Sequence, residues 1–494
     1  MISVRDLKVS YGVEEVLRSV SFDVNAGECL VITGSSGCGK STLARVLTGV
    51  IPNSIHANVS GSVNILNMDV LHTSITDLAG RVGIVFQNPR SHLFHLRVED
   101  EVAFGPRNLG LSENEVEFRV DWALNAVGLG DFREQKPANL SGGQIQRLAI
   151  AAALAMQPNV LVLDEPTASL DVPGTQNVLG TLEKLKKQLG LAIVLIEHRL
   201  GGLQKLADQV IILDQGRIAA QGSFVDVLGN GDVLHQHGLR NPSTEKLTDW
   251  LRLLVPNEYQ AQNQQPLLEL RNITAGYDNH PIIHNIDLKI CPGEFVALVG
   301  DNGTGKSTLA LTAAGLLKPI EGKVVVNGTS RPRPGLDIAL LFQNPADQLF
   351  TDSVDEEISF GPRNYHKFDE EIHCQTLASA DLLHLRKRRP FTLSIGQQQR
   401  TALASCIALH PALVILDEPT LGQDWRHLQQ LMDCLRRLNE QGTAILLITH
   451  DYKLVYHYAQ RVVLMEGGRL ILDGRMAPVS KYRIPTRELV HVAS

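Results

Sequence analysis

Apolar residues along this chain gather in short unbroken runs rather than in strict alternation with polar ones. Residues 30–33, 160–163 and 192–196 form three such runs, and residues 295–299, 414–416 and 444–448 form three more. Runs of this length read as strands buried on both faces, and stretches of helical spacing lie between them. The pattern predicts an α/β fold with mostly parallel sheets flanked by helices. Two hairpin patterns follow the last run of each set. One spans residues 210–218 with a turn at Asp214-Gln215-Gly216, the other residues 462–471 with Gly467-Gly468. No apolar run reaches the roughly 20 residues that a membrane-spanning helix needs. The nearest, residues 148–163, is interrupted by Gln157-Pro158-Asn159. Any role at a membrane therefore calls for other subunits that span it.

Composition narrows this picture only a little. The 494 residues are 44% apolar and 20% charged, as in an ordinary globular protein. A formal net charge of −7 weighs against a nucleic-acid partner. Six cysteines (Cys29, Cys38, Cys291, Cys374, Cys406 and Cys434) are scattered without a C-x-x-C pair. They suggest neither a zinc site nor a disulfide framework. The opening Met1-Ile2-Ser3-Val4-Arg5-Asp6 does not read as a signal peptide. The run Arg386-Lys387-Arg388-Arg389 reads as a solvated face.

The two sets of runs belong to a tandem repeat. Phe86-Gln87-Asn88-Pro89 matches Phe342-Gln343-Asn344-Pro345, and Phe104-Gly105-Pro106-Arg107-Asn108 matches Phe360-Gly361-Pro362-Arg363-Asn364. Leu140-Ser141-Gly142-Gly143-Gln144 matches Leu393-Ser394-Ile395-Gly396-Gln397. Leu163-Asp164-Glu165-Pro166-Thr167 matches Leu416-Asp417-Glu418-Pro419-Thr420. The order is the same in both halves, and the period is about half the chain, so the repeats are domains. The boundaries expected are a first domain at 1–228, a linker at 229–265 and a second domain at 266–494. Trp250-Leu251-Arg252-Leu253-Leu254 suggests a short packed helix inside the linker.

The strongest chemical signal is a phosphate-binding loop present twice. Gly34-Ser35-Ser36-Gly37-Cys38-Gly39-Lys40-Ser41 and Gly300-Asp301-Asn302-Gly303-Thr304-Gly305-Lys306-Ser307 both read G-x-x-x-x-G-K-[ST], and Thr42 and Thr308 continue them. Each follows an apolar run and opens a helical stretch. Glycines let the backbone wrap phosphate, and the helix N-terminus adds partial positive charge. Lys40 and Lys306 would hold β- and γ-phosphates, and Ser41 and Ser307 would ligate Mg²⁺. Two nucleoside triphosphates, each with Mg²⁺, are therefore expected per chain.

Companion residues sharpen the reaction. Asp164 and Asp417 end apolar strands, where a carboxylate can complete the Mg²⁺ shell. Glu165 and Glu418 follow directly and would polarise the attacking water. Gln87 and Gln343 are candidate sensors of Mg²⁺ and water, and His198 and His450 would contact the γ-phosphate. Ser141, Gly142, Gly143 and Gln144, with Ser394, Gly396 and Gln397, precede helical stretches at 145–156 and 398–409. A hydroxyl and amides at a helix start make a second anion cradle. Since the P-loop of the same half already occupies the phosphates, each cradle is expected to serve the nucleotide of the other half.

On these motifs the chain resembles a fused pair of ATP-binding cassette (ABC) ATPase domains over nearly its whole length. The resemblance implies an α/β fold of two P-loop NTPase domains in tandem. Each would have a mostly parallel sheet core, an antiparallel β subdomain and a helical subdomain. It also assigns Tyr11 and Tyr277 as adenine-stacking aromatics, and Asp171 and Asp424 as D-loop residues. The segments from Gln87-Asn88-Pro89 through Leu93-Phe94 to Phe104-Gly105-Pro106, and from Gln343-Asn344-Pro345 through Leu349-Phe350 to Phe360-Gly361-Pro362, are similar to those of energy-coupling factor (ECF) importers. In that family the segment meets coupling helices of an integral membrane subunit, and a separate small membrane protein captures the substrate. The resemblance implies an ATPase that energises uptake of a vitamin, vitamin precursor or metal ion from the cytoplasmic face of the membrane. A sugar importer's ATPase is disfavoured by the Phe-Gly-Pro segments. A ribosome- or DNA-acting relative is disfavoured by the lack of cysteine clusters and of a long charged linker.

The halves are not equivalent. Ile395 stands where the first half has Gly142, and a β-branched residue crowds a phosphate approach that glycine leaves open. Ile196-Glu197-His198-Arg199 likewise contrasts with Ile448-Thr449-His450-Asp451. The expectation is that the Lys306 site hydrolyses faster.

Overall fold

A computed structural model describes the chain except for residues 36, 88, 90–92, 169, 171, 230–233, 235, 238, 240–249, 257–264, 279, 330–331, 420–424 and 477–494, and except for the side chains of 172, 252, 256, 395 and 425–427. The chain divides into two compact units, residues 1–245 and, apart from 424–426, residues 246–494.

In the first unit, β1 (Ile2–Tyr11), β2 (Glu14–Val24), β4 (Asn58–Ile65) and β5 (Met68–Asp69) form an antiparallel sheet ordered β2-β1-β4-β5. The central sheet contains β3 (Cys29–Gly34), β6 (Val82–Val85), β7 (Val160–Asp164), β8 (Ala192–Ile196), β9 (Gln209–Asp214) and β10 (Arg217–Gly222). Its order is β10-β9-β3-β8-β7-β6, parallel except for the β9–β10 hairpin. The helices Val98–Asn108, Glu113–Ala126 and Gly142–Leu154 pack together as a helical subdomain.

The unbroken apolar runs follow from this layering. Successive residues of a strand face opposite ways. Leu30, Ile32, Val160, Val162, Val194 and Ile196 pack with the antiparallel sheet and the helix Lys40–Leu47. Val31, Leu161, Leu163, Ile193 and Leu195 pack with the helical subdomain and the helix that begins at Val172. Both faces are covered, so apolar residues are favoured on each.

The second unit repeats the plan. β12 (Leu268–Tyr277), β13 (His280–Ile290) and β15 (Glu321–Val326) form a three-stranded antiparallel sheet. The seven-stranded central sheet contains β11 (Leu254–Pro256), β14 (Phe295–Val299), β16 (Ile338–Leu341), β17 (Leu413–Asp417), β18 (Ala444–Ile448), β19 (Arg461–Glu466) and β20 (Arg469–Met476). The order is β11-β20-β19-β14-β18-β17-β16.

The segment between the two repeats is built into both units. Leu234 and Leu239 are buried in the first unit's core. A short helix, Trp250–Leu253, leads into β11, which pairs antiparallel with β20. Among the described residues, no helix is long and apolar enough to cross a membrane. The basic run is partly neutralised: Arg386 pairs with Asp355 at 2.9 Å and Arg389 with Asp352 at 3.4 Å.

Candidate nucleotide-binding and hydrolysis sites

Strand register gathers the chemistry at one edge of each central sheet. Ile32 of β3 and Asp164 of β7 both lie level with Ile196 of β8, so the P-loop, Glu165 and His198 leave the sheet side by side. Val85 of β6 is level with Leu163, which brings Gln87 to the same edge. The second unit has the same alignment, with Leu298 and Asp417 both opposite Ile448. Ligands of open parallel sheets bind at the carboxyl ends of the strands.

Each P-loop turns on a glycine that nothing else can replace. Gly34 has φ 150°, and a Cβ there would sit 2.0 Å from the Leu213 carbonyl oxygen. Gly300 has φ 147°, and its Cβ would sit 2.2 Å from the Met465 oxygen. The hairpin strand thus touches the loop backbone directly. Lys40 is buried, and its Nζ donates to the carbonyls of Gly34 (2.9 Å) and Ser35 (2.8 Å). Lys306 Nζ donates likewise to Gly300 (2.9 Å) and Asp301 (2.7 Å). Both ammonium groups are therefore held under the loop by its own carbonyls. The loop amides supply the cradle, and Lys40 and Lys306 each open a helix. Ser36 lies outside the described residues. Burial pushes the Cys38 thiol up, against the pull of Lys40, so it stays protonated at neutral pH.

Asp164 and Asp417 are buried at the ends of β7 and β17. Burial raises both carboxyls, Asp417 to about 6, while hydrogen bonds from Ser41 and Ser307 oppose the rise. Among the described residues, Asp164 Oδ1 is buried without a hydrogen-bond partner. A buried carboxylate oxygen with no donor, beside a serine hydroxyl, fits a hard cation that takes oxygen ligands. Ser41, Gln87 and Asp164 would hold Mg²⁺ in the first unit, and Ser307, Gln343 and Asp417 in the second. The ion, when bound, neutralises phosphate charge. Among the described residues no group of three or more His, Cys, Asp or Glu forms a metal cluster.

The residues after these aspartates leave the strand abruptly. Glu165 has φ 50° and Glu418 φ 47°, left-handed conformations that cost a glutamate energy and that cluster at functional sites. A backbone bond holds each in place, Glu165 N to Ile196 O and Glu418 N to Ile448 O, both 2.9 Å. Glu165 receives His198 Nε2 at 3.1 Å on Oε1 and Gln87 Nε2 at 2.8 Å on Oε2. Burial raises its carboxyl, but His198, Lys40 and Gln87 outweigh burial and leave it below the ordinary value. A carboxylate kept ionised beside a phosphate cradle suits a general base.

Glu418 differs. His450 meets it through the other ring nitrogen, Nδ1, which lies 3.0 Å from both Oε1 and Oε2. Gln343 is exposed, and no hydrogen bond joins it to Glu418 among the described residues. The first unit therefore brings Gln87, Glu165 and His198 into one network, whereas among the described residues the second joins Glu418 and His450 without Gln343.

Tyr11 is half-buried, its hydroxyl 3.5 Å from Thr42 Oγ1 beside the P-loop helix, whereas Tyr277 is exposed at the end of β12. The signature helices start earlier than their composition predicts, at Gly142 and Ile395. Ser141 and Ser394 are N-caps in full capping boxes: Ser141 Oγ accepts from Gln144 N at 3.3 Å and Ser141 N donates to Gln144 Oε1 at 2.8 Å. Glycine is a poor helix former, which is why composition alone pushes these residues into the preceding loop. Ser141 and Gly142 are exposed, and no hydrogen bond ties Ser141 to its own P-loop among the described residues. Asp171, Asp424 and Asn88 lie outside the described residues.

Sequence reasoning missed three buried carboxyls. Glu101 Oε2 accepts from the amides of Phe94 (3.0 Å) and His95 (2.9 Å), and Glu357 Oε2 from those of Phe350 (3.0 Å) and Thr351 (2.9 Å). Glu197 Oε1 accepts from Thr167 N (2.9 Å) and Oγ1 (2.7 Å). The signal for Glu197 was its contrast with Thr449; burial of the other two had none.

The sequence profile of the ABC transporter family matches residues 17–168 and 283–421. An ABC transporter ATP-binding protein of Methanosarcina mazei is 36% identical over 526 residues, covering 97% of this chain and 90% of that protein. One from Caldanaerobacter subterraneus is 34% identical, covering 97% and 92%. Among solved structures, cbiO1 from Clostridium perfringens, part of the ABC transporter complex cbiONQ, is 33% identical with a TM-score of 0.44, covering 48% of this chain and 93% of that one. The chain belongs to the ABC transporter ATP-binding family, which hydrolyses ATP in transport, and it carries that family's ATPase domain twice.

Proposed function

We propose that this chain is the ATPase of an ECF-type importer, energising uptake of a vitamin, vitamin precursor or metal ion through separate membrane subunits. The observation that carries this reading is an exposed aromatic pair in each half. Phe94 is 64% exposed and meets Phe104 edge-on at 4.9 Å; Phe350 is 60% exposed and meets Phe360 at 4.8 Å. Each pair joins the segment after Gln87 or Gln343 to the helix carrying the Phe-Gly-Pro motif. Exposed apolar clusters of this kind mark interaction sites. Glu101 and Glu357 fasten the loop amides, so the phenylalanines are presented on a fixed backbone. Gln87 bonds Glu165 at one end of its segment, and Phe94 lies at the other. A change at the phosphate can thereby reach a membrane partner.

Two composite sites complete the reading. Ser141 and Gly142 would close on the nucleotide held by Lys306, and Ser394 and Gly396 on that held by Lys40. Glu165 and Glu418 would take the proton of the attacking water. ATP would close the halves, and hydrolysis would reopen them. Affinity purification of the full chain from native membranes tests the proposal. Recovery with an integral coupling subunit and a small substrate-capturing membrane protein is expected. Recovery with a sugar permease, or with ribosomes, refutes it.

A further inference from the structure

We infer that Glu197 is a positioning residue for hydrolysis at the Lys40 site, where its carboxyl and the Arg199 guanidinium clasp the loop that carries Glu165. The inference rests on the reading of Glu165 as the base at that site.

Three consecutive residues just past β8 reach this loop at three points. Glu197 Oε1 takes both the amide and the hydroxyl of Thr167. His198 Nε2 meets the Glu165 carboxylate at 3.1 Å. Arg199 Nη1 donates to the Leu170 carbonyl at 3.3 Å. Two short-range backbone bonds lie between these points, Ala168 N to Glu165 O (3.2 Å) and Leu170 N to Thr167 O (3.1 Å). Glu197 itself is anchored to the strand that leads into the P-loop, its amide donating to Ile32 O at 3.1 Å. A bond at Thr167 thus fixes the base relative to the phosphate cradle. Glu165 needs such a restraint, because its left-handed backbone is stable only where neighbours hold it.

In the second half His450 likewise meets Glu418, but threonine stands in place of Glu197 and aspartate in place of Arg199. Thr449 Oγ1 accepts from Asp451 N at 3.1 Å, and Asp451 caps the helix Tyr452–Tyr458 through Lys453 N and Leu454 N. Glu197 is only 1% exposed, and burial, together with Glu165, pushes its carboxyl up to about 7. An uncharged carboxyl still accepts both Thr167 bonds through its carbonyl oxygen. The clasp therefore requires an acceptor of this length, not a charge.

The test uses the full chain with its membrane partners in a Glu418→Gln background, where turnover reports on the Lys40 site. E197A is expected to lower kcat roughly 10–10²-fold, as small displacements of a catalytic group do, with KM for ATP within about twofold. E197Q is expected to stay within about threefold of the parent, since glutamine keeps the acceptor. If E197A does not fold, E197T, the residue of the second half, carries the same expectation. In a chain that also bears Glu165→Gln, E197A should cost nothing further. An unchanged kcat in E197A or E197T, a loss in E197Q as large as in E197A, or a full additional loss beside Glu165→Gln overturns the clasp. If Glu165→Gln alone leaves first-site turnover intact, the reading of Glu165 as base fails. Hydrogen exchange at the Thr167 amide then judges the clasp: faster exchange in E197A or E197T supports it, and unchanged exchange overturns it.

Discussion

Glu197 should make the first unit less stable as pH rises through neutrality. In the unfolded chain its carboxyl titrates near 4.5, whereas in the fold it is pushed up to about 7 by burial and by Glu165. Below pH 4.5 both states are protonated and the group contributes nothing. Between 4.5 and 7 the folded state binds more protons, so stability falls with increasing pH. Above 7 the loss is complete. A difference of about 2.5 pKa units corresponds to roughly 3 kcal/mol. The group is fully buried, so solvent screening does not shrink this figure appreciably. E197Q keeps the Thr167 bonds and removes the titration. Relative to wild type it should be about equal at pH 5 and more stable by up to roughly 3 kcal/mol at pH 8. Urea unfolding read through Trp122, with Trp250 and Trp425 replaced by phenylalanine, measures the first unit alone. A stability difference between E197Q and wild type that is the same at both pH values refutes the reasoning.

Other consequences follow from the two sites and their surroundings. Glu418→Gln should remove more of the total ATPase activity than Glu165→Gln, each costing roughly 10²–10⁴-fold at its own site. The reason is that the intact Ser141-Gly142 cradle is proposed for the Lys306 site, whereas Ile395 stands where glycine would in the cradle proposed for the Lys40 site; equal losses would remove the asymmetry. Phe94→Ala and Phe350→Ala should leave ATPase activity of the isolated chain within about twofold, while lowering recovery of membrane subunits in pull-downs; undiminished recovery from the double variant counts against the docking role. Glu357→Ala strips acceptors from two amides and the Thr351 hydroxyl, and should destabilise the second unit by roughly 2–4 kcal/mol in denaturant titrations. A change below about 0.5 kcal/mol would mean that the loop is held by other contacts.

Much of the fold was legible because its signals are local. Unbroken apolar runs follow from strands covered on both faces, and each P-loop announces its strand and helix within a few residues. Asp164 and Asp417 were readable as strand ends for the same reason. What escaped reading depends on pairs distant in the chain or on backbone angles. Thr167 and Glu197 are 30 residues apart, and only the alignment of β7 with β8 makes them neighbours. The left-handed turns at Glu165 and Glu418 leave no trace in residue type, since glutamate does not favour them. The start of each signature helix was misplaced because Gly142 and Gly396 argue against helix, whereas the capping serine decides it. β11 was hidden by its brevity and by Pro256, which a strand tolerates at an edge.

That last strand bears on how the polypeptide can be divided. Leu254, Val255 and Pro256 cover the rim of β20 opposite Met476, Arg475 and Gly474. A recombinant carboxyl-terminal lobe begun at Gln265 would bare that rim, leaving a sticky border prone to self-association. Beginning it at Lys246, and ending its companion at Glu245, would keep β11 on β20 and let nucleotide binding to each P-loop be titrated separately.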